Sequence, residues 1–172
     1  MQTASRKSLI VSLFAVAAAL AGHNASAQSD DVIRWQSIIG IIQANSVVGT
    51  GSGAVTGAPG PWSTRGGHVK IDLSSGKVNF DVDGLVLASG NSIGTPGAVT
   101  QVKGTLVCDT DGSATGQNSV LVDTPLVSLD EQGEARFNGT VTLPVVCANQ
   151  PDIAFLVRTA GGKWLANGTV LQ

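Results

Sequence analysis

Between Gly66 and Gly84 the chain reads GGHVKIDLSSGKVNFDVDG, and its apolar residues fall on every second position. Val69, Ile71 and Leu73 alternate with His68, Lys70 and Asp72, and Val78, Phe80 and Val82 alternate with Asn79, Asp81 and Asp83. Successive side chains point to opposite faces in an extended strand, so this pattern yields one apolar and one polar face there and none in a helix. Ser74-Ser75-Gly76-Lys77 between the two runs is turn chemistry, which makes the stretch a β-hairpin. Keeping the apolar face together predicts the pairs Leu73–Val78, Ile71–Phe80 and Val69–Val82. On the polar face the same register sets Asp72 against Asn79, Lys70 against Asp81 and His68 against Asp83. Gly84 then marks a bulge before Leu85-Val86-Leu87.

The same reasoning places a second hairpin at Leu126–Leu129 and Glu134–Gly139, joined by the turn Asp130-Glu131-Gln132-Gly133. Further strands are expected at Val32–Gln43, Val99–Asp109, Ser119–Val122, Ile153–Arg158 and Trp164–Leu171. The first of these also admits a helix, because Ser29-Asp30-Asp31 offers a cap and Val32, Trp35, Ile39 and Ile42 would share one face. Its isoleucines and Gly40 favour the strand. Val48–Gly67 and Ala88–Gly97, rich in glycine, proline and small polar residues, are expected as loops of the same domain. Eight or nine strands without a long helix predict an all-β, single-domain antiparallel β-sandwich of Greek-key or jelly-roll-like type.

Arg6 and Lys7 precede an apolar run of 13 residues, Leu9–Ala21, and Ala25-Ser26-Ala27 follows it. A bilayer span needs about 20 apolar residues, so the run fits an export signal cleaved before Gln28 better than an anchor. Residues 1–27 are therefore expected as a signal peptide and 28–172 as one domain, secreted or periplasmic, with no membrane span after cleavage. Of ten basic and twelve acidic residues, Arg6 and Lys7 belong to the leader, which leaves a net charge of −4 on residues 28–172. The remaining basic residues are scattered singly, which argues against nucleic acid as a partner. Cys108 and Cys147 are the only cysteines, and in an exported chain such a pair reads as one disulfide.

Chemistry has few places to reside. In TLVCDTDGSATGQNSV, Asp109, Asp111, Ser113 and Thr115 offer alternating oxygens to a calcium ion. Gly112 comes too early for an EF-hand, however, and Val120 stands where the bidentate glutamate belongs. Asp109 and Asp111 are thus weak metal candidates set against a polar turn, and no metal or cofactor is expected. His68 is the one histidine after residue 27, so a hydrolase would have to use it with the strand-face aspartates Asp81 and Asp83. No G-x-S-x-G elbow accompanies it. Trp62, in GPWST at the end of the glycine-rich stretch, is the candidate ligand contact, the alternative being a plug in the end of the sandwich.

Pro61-Trp62, Gly84-Leu85-Val86-Leu87, Cys108, Gly133-Glu134-Ala135, Leu143-Pro144 with Cys147, and Phe155 and Trp164 together resemble a group of uncharacterised secreted bacterial all-β proteins. That resemblance covers most of residues 28–172 and implies no activity. GGHVKIDLSSGKVNFDVDGL and TAGGKWLANGTV are similar to stretches of CHRD domains, although the His-rich stretch of those modules is missing. The expectation is a non-catalytic envelope, matrix or ligand-binding module acting on an extracytoplasmic ligand or protein, with the hydrolase and the calcium-dependent module as competing readings.

Overall fold

The computed structural model describes residues 31–149 and 152–169. The expected signal peptide and its cleavage site lie outside the described residues. In chain order the strands are β1 (Val32–Trp35), β2 (Ser37–Gly40), β3 (Val47–Val48), β4 (Val55–Thr56), β5 (Trp62–Ser63), β6 (Gly66–Asp72) and β7 (Lys77–Asp83). They continue as β8 (Val86–Leu87), β9 (Gln101–Cys108), β10 (Val120–Asp123), β11 (Val127–Ser128), β12 (Ala135–Thr140), β13 (Ile153–Thr159) and β14 (Trp164–Thr169). A 3-10 turn spans Gly51–Gly53, and one short helix, α1 (Val145–Asn149), precedes β13. Among the described residues no helix is long and apolar enough to cross a membrane.

The protein is an all-β antiparallel sandwich, as its alternating sequence predicts. One sheet has the order β1-β6-β7-β12; the other runs β10-β9-β13-β14-β2, with β11 also on β9. Five of the strands are only two residues long, leaving nine longer ones, in line with the eight or nine expected. The chain passes between the two large sheets from β1 to β2, from β2 to β6, from β7 to β9, from β11 to β12 and from β12 to β13. Val69, Ile71, Val78, Phe80 and Val82 of the four-stranded sheet meet Val102, Leu106, Phe155 and Val157 of the other, all buried. Burying each such side chain contributes roughly 1.5–3 kcal/mol. At the centre Phe80 packs on Phe155 with ring centroids 5.5 Å apart, and Trp35 lies 5.9 Å from Phe155. Gly104 makes room for this stack, because a Cβ there would sit 2.7 Å from the Phe155 ring and 2.8 Å from that of Phe80.

The first hairpin forms with its apolar face intact, but its register differs by two residues from the predicted one. Ile71 pairs with Val78, Val69 with Phe80 and Gly67 with Val82, while Asp72 closes on Lys77. The turn begins earlier because Asp72 organises it. Its Oδ1 accepts the amides of Ser74 (3.0 Å) and Ser75 (3.1 Å) and the Ser74 hydroxyl (2.6 Å). Gly76, at φ 70°, donates its amide to the Asp72 carbonyl. Leu73 is thereby expelled from the ladder, and its amide bonds instead to the Asp31 carbonyl at 2.7 Å.

Val32–Gln43 is extended, not helical, yet it is two strands that belong to different sheets. The chain changes sheet at Gln36, so the buried side chains are Trp35, Ile38 and Ile41, whereas Ile39 and Ile42, which a helix would put on one face with Trp35, are exposed. The expected second hairpin does not form. β11 pairs with β9 in one sheet and β12 with β7 in the other, so the Asp130–Gly133 turn is an arch between sheets. Inward-pointing Leu129 and Ala135 on either side of it are buried, which seats one flank in each half of the sandwich. β10 and β11 form one edge along β9, interrupted where the Thr124 amide bonds to the Gly104 carbonyl and Pro125 follows. Val48–Gly67 is also more ordered than a loop: it holds β4, β5 and the 3-10 turn, and β3 pairs with β4.

The two sheets differ in what their outer sides meet. Thr105, Val107 and Leu156, on the side of β9 and β13 away from the Phe80–Phe155 stack, are fully buried. The β3–β4 segment docks nearby, with the Trp164 indole N–H donating to the Ser46 carbonyl at 2.9 Å. The outer side of β6, β7 and β12 carries His68, Lys70, Lys77, Arg136, Asn138 and Thr140, all exposed. That is the open face of the molecule.

Candidate functional site

Strand alternation puts the polar residues of the four-stranded sheet in rows across its open face. One row is Arg34, Lys70, Asn79 and Asn138; the next is His68, Asp81 and Arg136; a third is Val32, Asp72, Lys77 and Thr140. Two shallow grooves lie on this face. One, of about 350 Å³, is lined by Val32, Lys70, Asp72, Lys77, Asn79 and Asn138. The other, of about 390 Å³, adjoins it across Asn79 and Asn138 and reaches His68, Asp81 and Arg136.

The register corrects the expected partner of His68. Asp81, not Asp83, stands opposite it, and its Oδ1 lies 2.8 Å from His68 Nδ1 while accepting the His68 amide at 2.9 Å. Asp83 instead faces Arg136, 4.0 Å away. Each carboxylate of the hydrolase reading therefore has its own cross-strand partner on a flat surface. Among the described residues no serine or threonine hydroxyl hydrogen-bonds to His68. A triad requires that contact. Exposed pairs of this kind contribute under about 1 kcal/mol.

Trp62 takes the position of the alternative, a plug in the end of the sandwich. It is only 6% exposed and belongs to the core, where β5 pairs with β8 and the Trp62 amide bonds to the Ile41 carbonyl at 2.8 Å. Proline and glycine around it shape a crossing of the backbone over β2, and the indole fills the space beneath.

Asp109 is buried at φ 56° and organises the turn after β9. Its carboxylate accepts the amides of Ala114 (3.1 Å) and Thr115 (2.8 Å) and the Thr115 hydroxyl (2.8 Å). Its carbonyl accepts the Ser119 hydroxyl at 2.8 Å, and that hydroxyl also receives the Thr50 amide at 2.9 Å. Asp111 Oδ1 caps its own turn by accepting the Ser113 amide at 2.9 Å. The carboxylates of Asp109 and Asp111 are thus turned toward N–H and O–H donors of the loop, the arrangement of a polar turn. Burial opposes ionisation of Asp109, but the Thr115 hydroxyl and the Ala114 and Thr115 amides prevail and hold its carboxyl below the ordinary value of 3.8.

A lowered folded-state pKa means that the unfolded chain takes up the proton first, so stability declines as pH falls. The decline begins near the unfolded value of 3.8 and continues through the folded one. Asp72, lowered to about 2 chiefly by the Ser74 hydroxyl and the Ser75 amide, acts in the same direction. Thermal melts should accordingly be level near neutrality and fall below about pH 3.8. Asp109→Asn should lower the neutral melt and flatten that acid limb, and millimolar calcium should leave the wild-type melt unchanged. A calcium-induced rise abolished by Asp109→Asn would contradict the polar-turn assignment.

Cys108 and Cys147 form the expected disulfide, with Cα atoms 5.1 Å apart. It ties the end of β9 to α1. A further cluster escaped the sequence reading. On the outer side of β9, Asp123 accepts the Thr105 hydroxyl (2.6 Å), pairs with Lys103, and meets Arg158 Nη1 at 3.1 Å. Burial opposes its ionisation, but Lys103, Thr105 and Arg158 prevail and lower its pKa. The residues come from three strands, and only the β10-β9-β13 pairing brings Asp123 and Arg158 to Lys103 and Thr105.

Together these observations define an all-β, disulfide-linked antiparallel sandwich with one sheet face open and polar. No protein-family model, curated protein or solved structure matches the chain.

Proposed function

We propose that this is an exported, non-catalytic module that binds an extracytoplasmic ligand through the open face of its four-stranded sheet. The observation that carries the reading is the arrangement on that face. Its ionisable side chains are spread over a broad surface, with Asp81 and Asp83 each beside its own partner, His68 and Arg136, whereas catalysis needs groups converging on one reacting atom in a site that excludes water. Export is supported by the Leu9–Ala21 run with its Ala25-Ser26-Ala27 site and by a disulfide of the kind that oxidising compartments sustain. The reading takes no metal or cofactor, and it makes the hydrolase built on His68 and the strand-face aspartates the competing hypothesis.

A panel of ester and glycoside substrates decides between them. Wild type and His68→Ala should give the same background rate with every substrate. Turnover by the wild type that disappears in His68→Ala would overturn the non-catalytic reading.

A further inference from the structure

Like charges placed directly opposite on one sheet face are destabilising. Arg34 and Lys70 are such a pair, opposed in the β1–β6 register on the open face. Lys77 adds a third positive charge one row away, and it lines the same groove as Lys70. Among the described residues none of the three makes an ion pair. Asp72 is the one acid in this groove; it stands opposite Lys77, and its carboxylate, held by the donors of Ser74 and Ser75, offsets one of the two lysines. An acidic domain therefore carries a small excess of positive charge in this groove and at Arg34 beside it, and the groove's remaining polar lining is the amide pair Asn79 and Asn138. Placing cations where they repel each other is a cost to folding, and such local conflicts mark sites where a partner is meant to sit.

We infer that the trough along β6, β7 and β12 binds a sparsely carboxylated polysaccharide, with Lys70 and Lys77 holding a carboxylate and Asn79 and Asn138 hydrogen-bonding the adjoining sugar hydroxyls. This rests on the proposed reading of the face as a binding surface and adds the chemistry of the ligand. The trough follows β7 from Lys77 past Asn79 to Asp81, two strand steps of about 7 Å each, the reach of a short oligosaccharide. Val32 at one end supplies an apolar patch for ring C–H groups. Arg136, mostly exposed and 4.0 Å from Asp83, remains available at the other end. Chain charge chooses among anionic polymers. A domain at −4 repels a densely charged strand, and this face lacks the aromatic platforms on which nucleic-acid bases stack. A polymer with few carboxylates and many hydroxyls suits both the small cationic cluster and the amides.

The test titrates the domain with a polygalacturonate whose carboxylates are mostly methyl-esterified, with dextran as the neutral control and a single-stranded DNA oligonucleotide as the dense polyanion. Polygalacturonate should bind, more weakly as salt rises. Lys70→Gln with Lys77→Gln should weaken it by about tenfold or more, because both cations that hold the carboxylate are lost. Asn79→Ala with Asn138→Ala should also weaken it, and both double variants should melt no lower than wild type. Failure of polygalacturonate to bind overturns the inference. So does equal binding of dextran with no effect of the lysine variant, or tighter binding of the oligonucleotide that the lysine variant abolishes. The underlying non-catalytic reading fails separately, by turnover lost in His68→Ala.

Discussion

Trp62→Ala is expected to destabilise the domain by about 3–5 kcal/mol, the usual cost of truncating a buried tryptophan. The indole is 6% exposed, and the strand that carries it is fixed on both sides. β5 pairs with β8 through Trp62–Leu87 and Ser63–Val86. On its other side the Trp62 amide bonds to the Ile41 carbonyl, and the Thr64 hydroxyl donates to the Ile38 carbonyl at 2.6 Å. Removing the ring opens a cavity at the point where the backbone crosses β2, and the edge of the six-stranded sheet loses its cover. Chemical denaturation should show a lower midpoint at an unchanged slope. An unaltered midpoint would mean that the ring contributes nothing to the core, and Trp62 would return as a contact residue.

The second large effect is loss of the Cys108–Cys147 bond. It closes a loop of 39 residues, and in the chain-entropy account that constraint on the unfolded state is worth roughly 4 kcal/mol. The loop contains β10, β11 and β12, so the link joins a central strand to the segment that returns from the opposite sheet. Cys108→Ala with Cys147→Ala should therefore lower the melting temperature by about 10 °C or more. Reduction of the wild type should do the same. Equal melts for the oxidised and reduced protein would contradict this role.

Period-two alternation made the Gly66–Gly84 hairpin legible, because only an extended backbone sorts those residues onto two faces. The register was less legible. A slip of two residues leaves every apolar side chain on the same face, so the hydrophobic pattern is blind to it. Asp72 decides by gathering the donors of Ser74 and Ser75, and with that choice His68 meets Asp81 instead of Asp83. The Asp130–Gly133 turn was visible as a turn, but nothing local says that its flanks enter different sheets. The same limit applies at Gln36, where the chain changes sheet. The glycines and prolines before Trp62 signal irregular backbone and carry no information about burial. The Asp109 turn was recognisable from its own residues because its chemistry is local. The Asp123 cluster was not, because long-range pairing assembles it.

The most direct test of an exported, disulfide-linked domain is the intact mass of the protein recovered outside the cytoplasm, measured before and after reduction. The expected species is a chain that begins at Gln28 and gains two hydrogens on reduction, with Cys108 and Cys147 in one linked peptide. A chain that retains residues 1–27, or one whose cysteines alkylate without reduction, would contradict it.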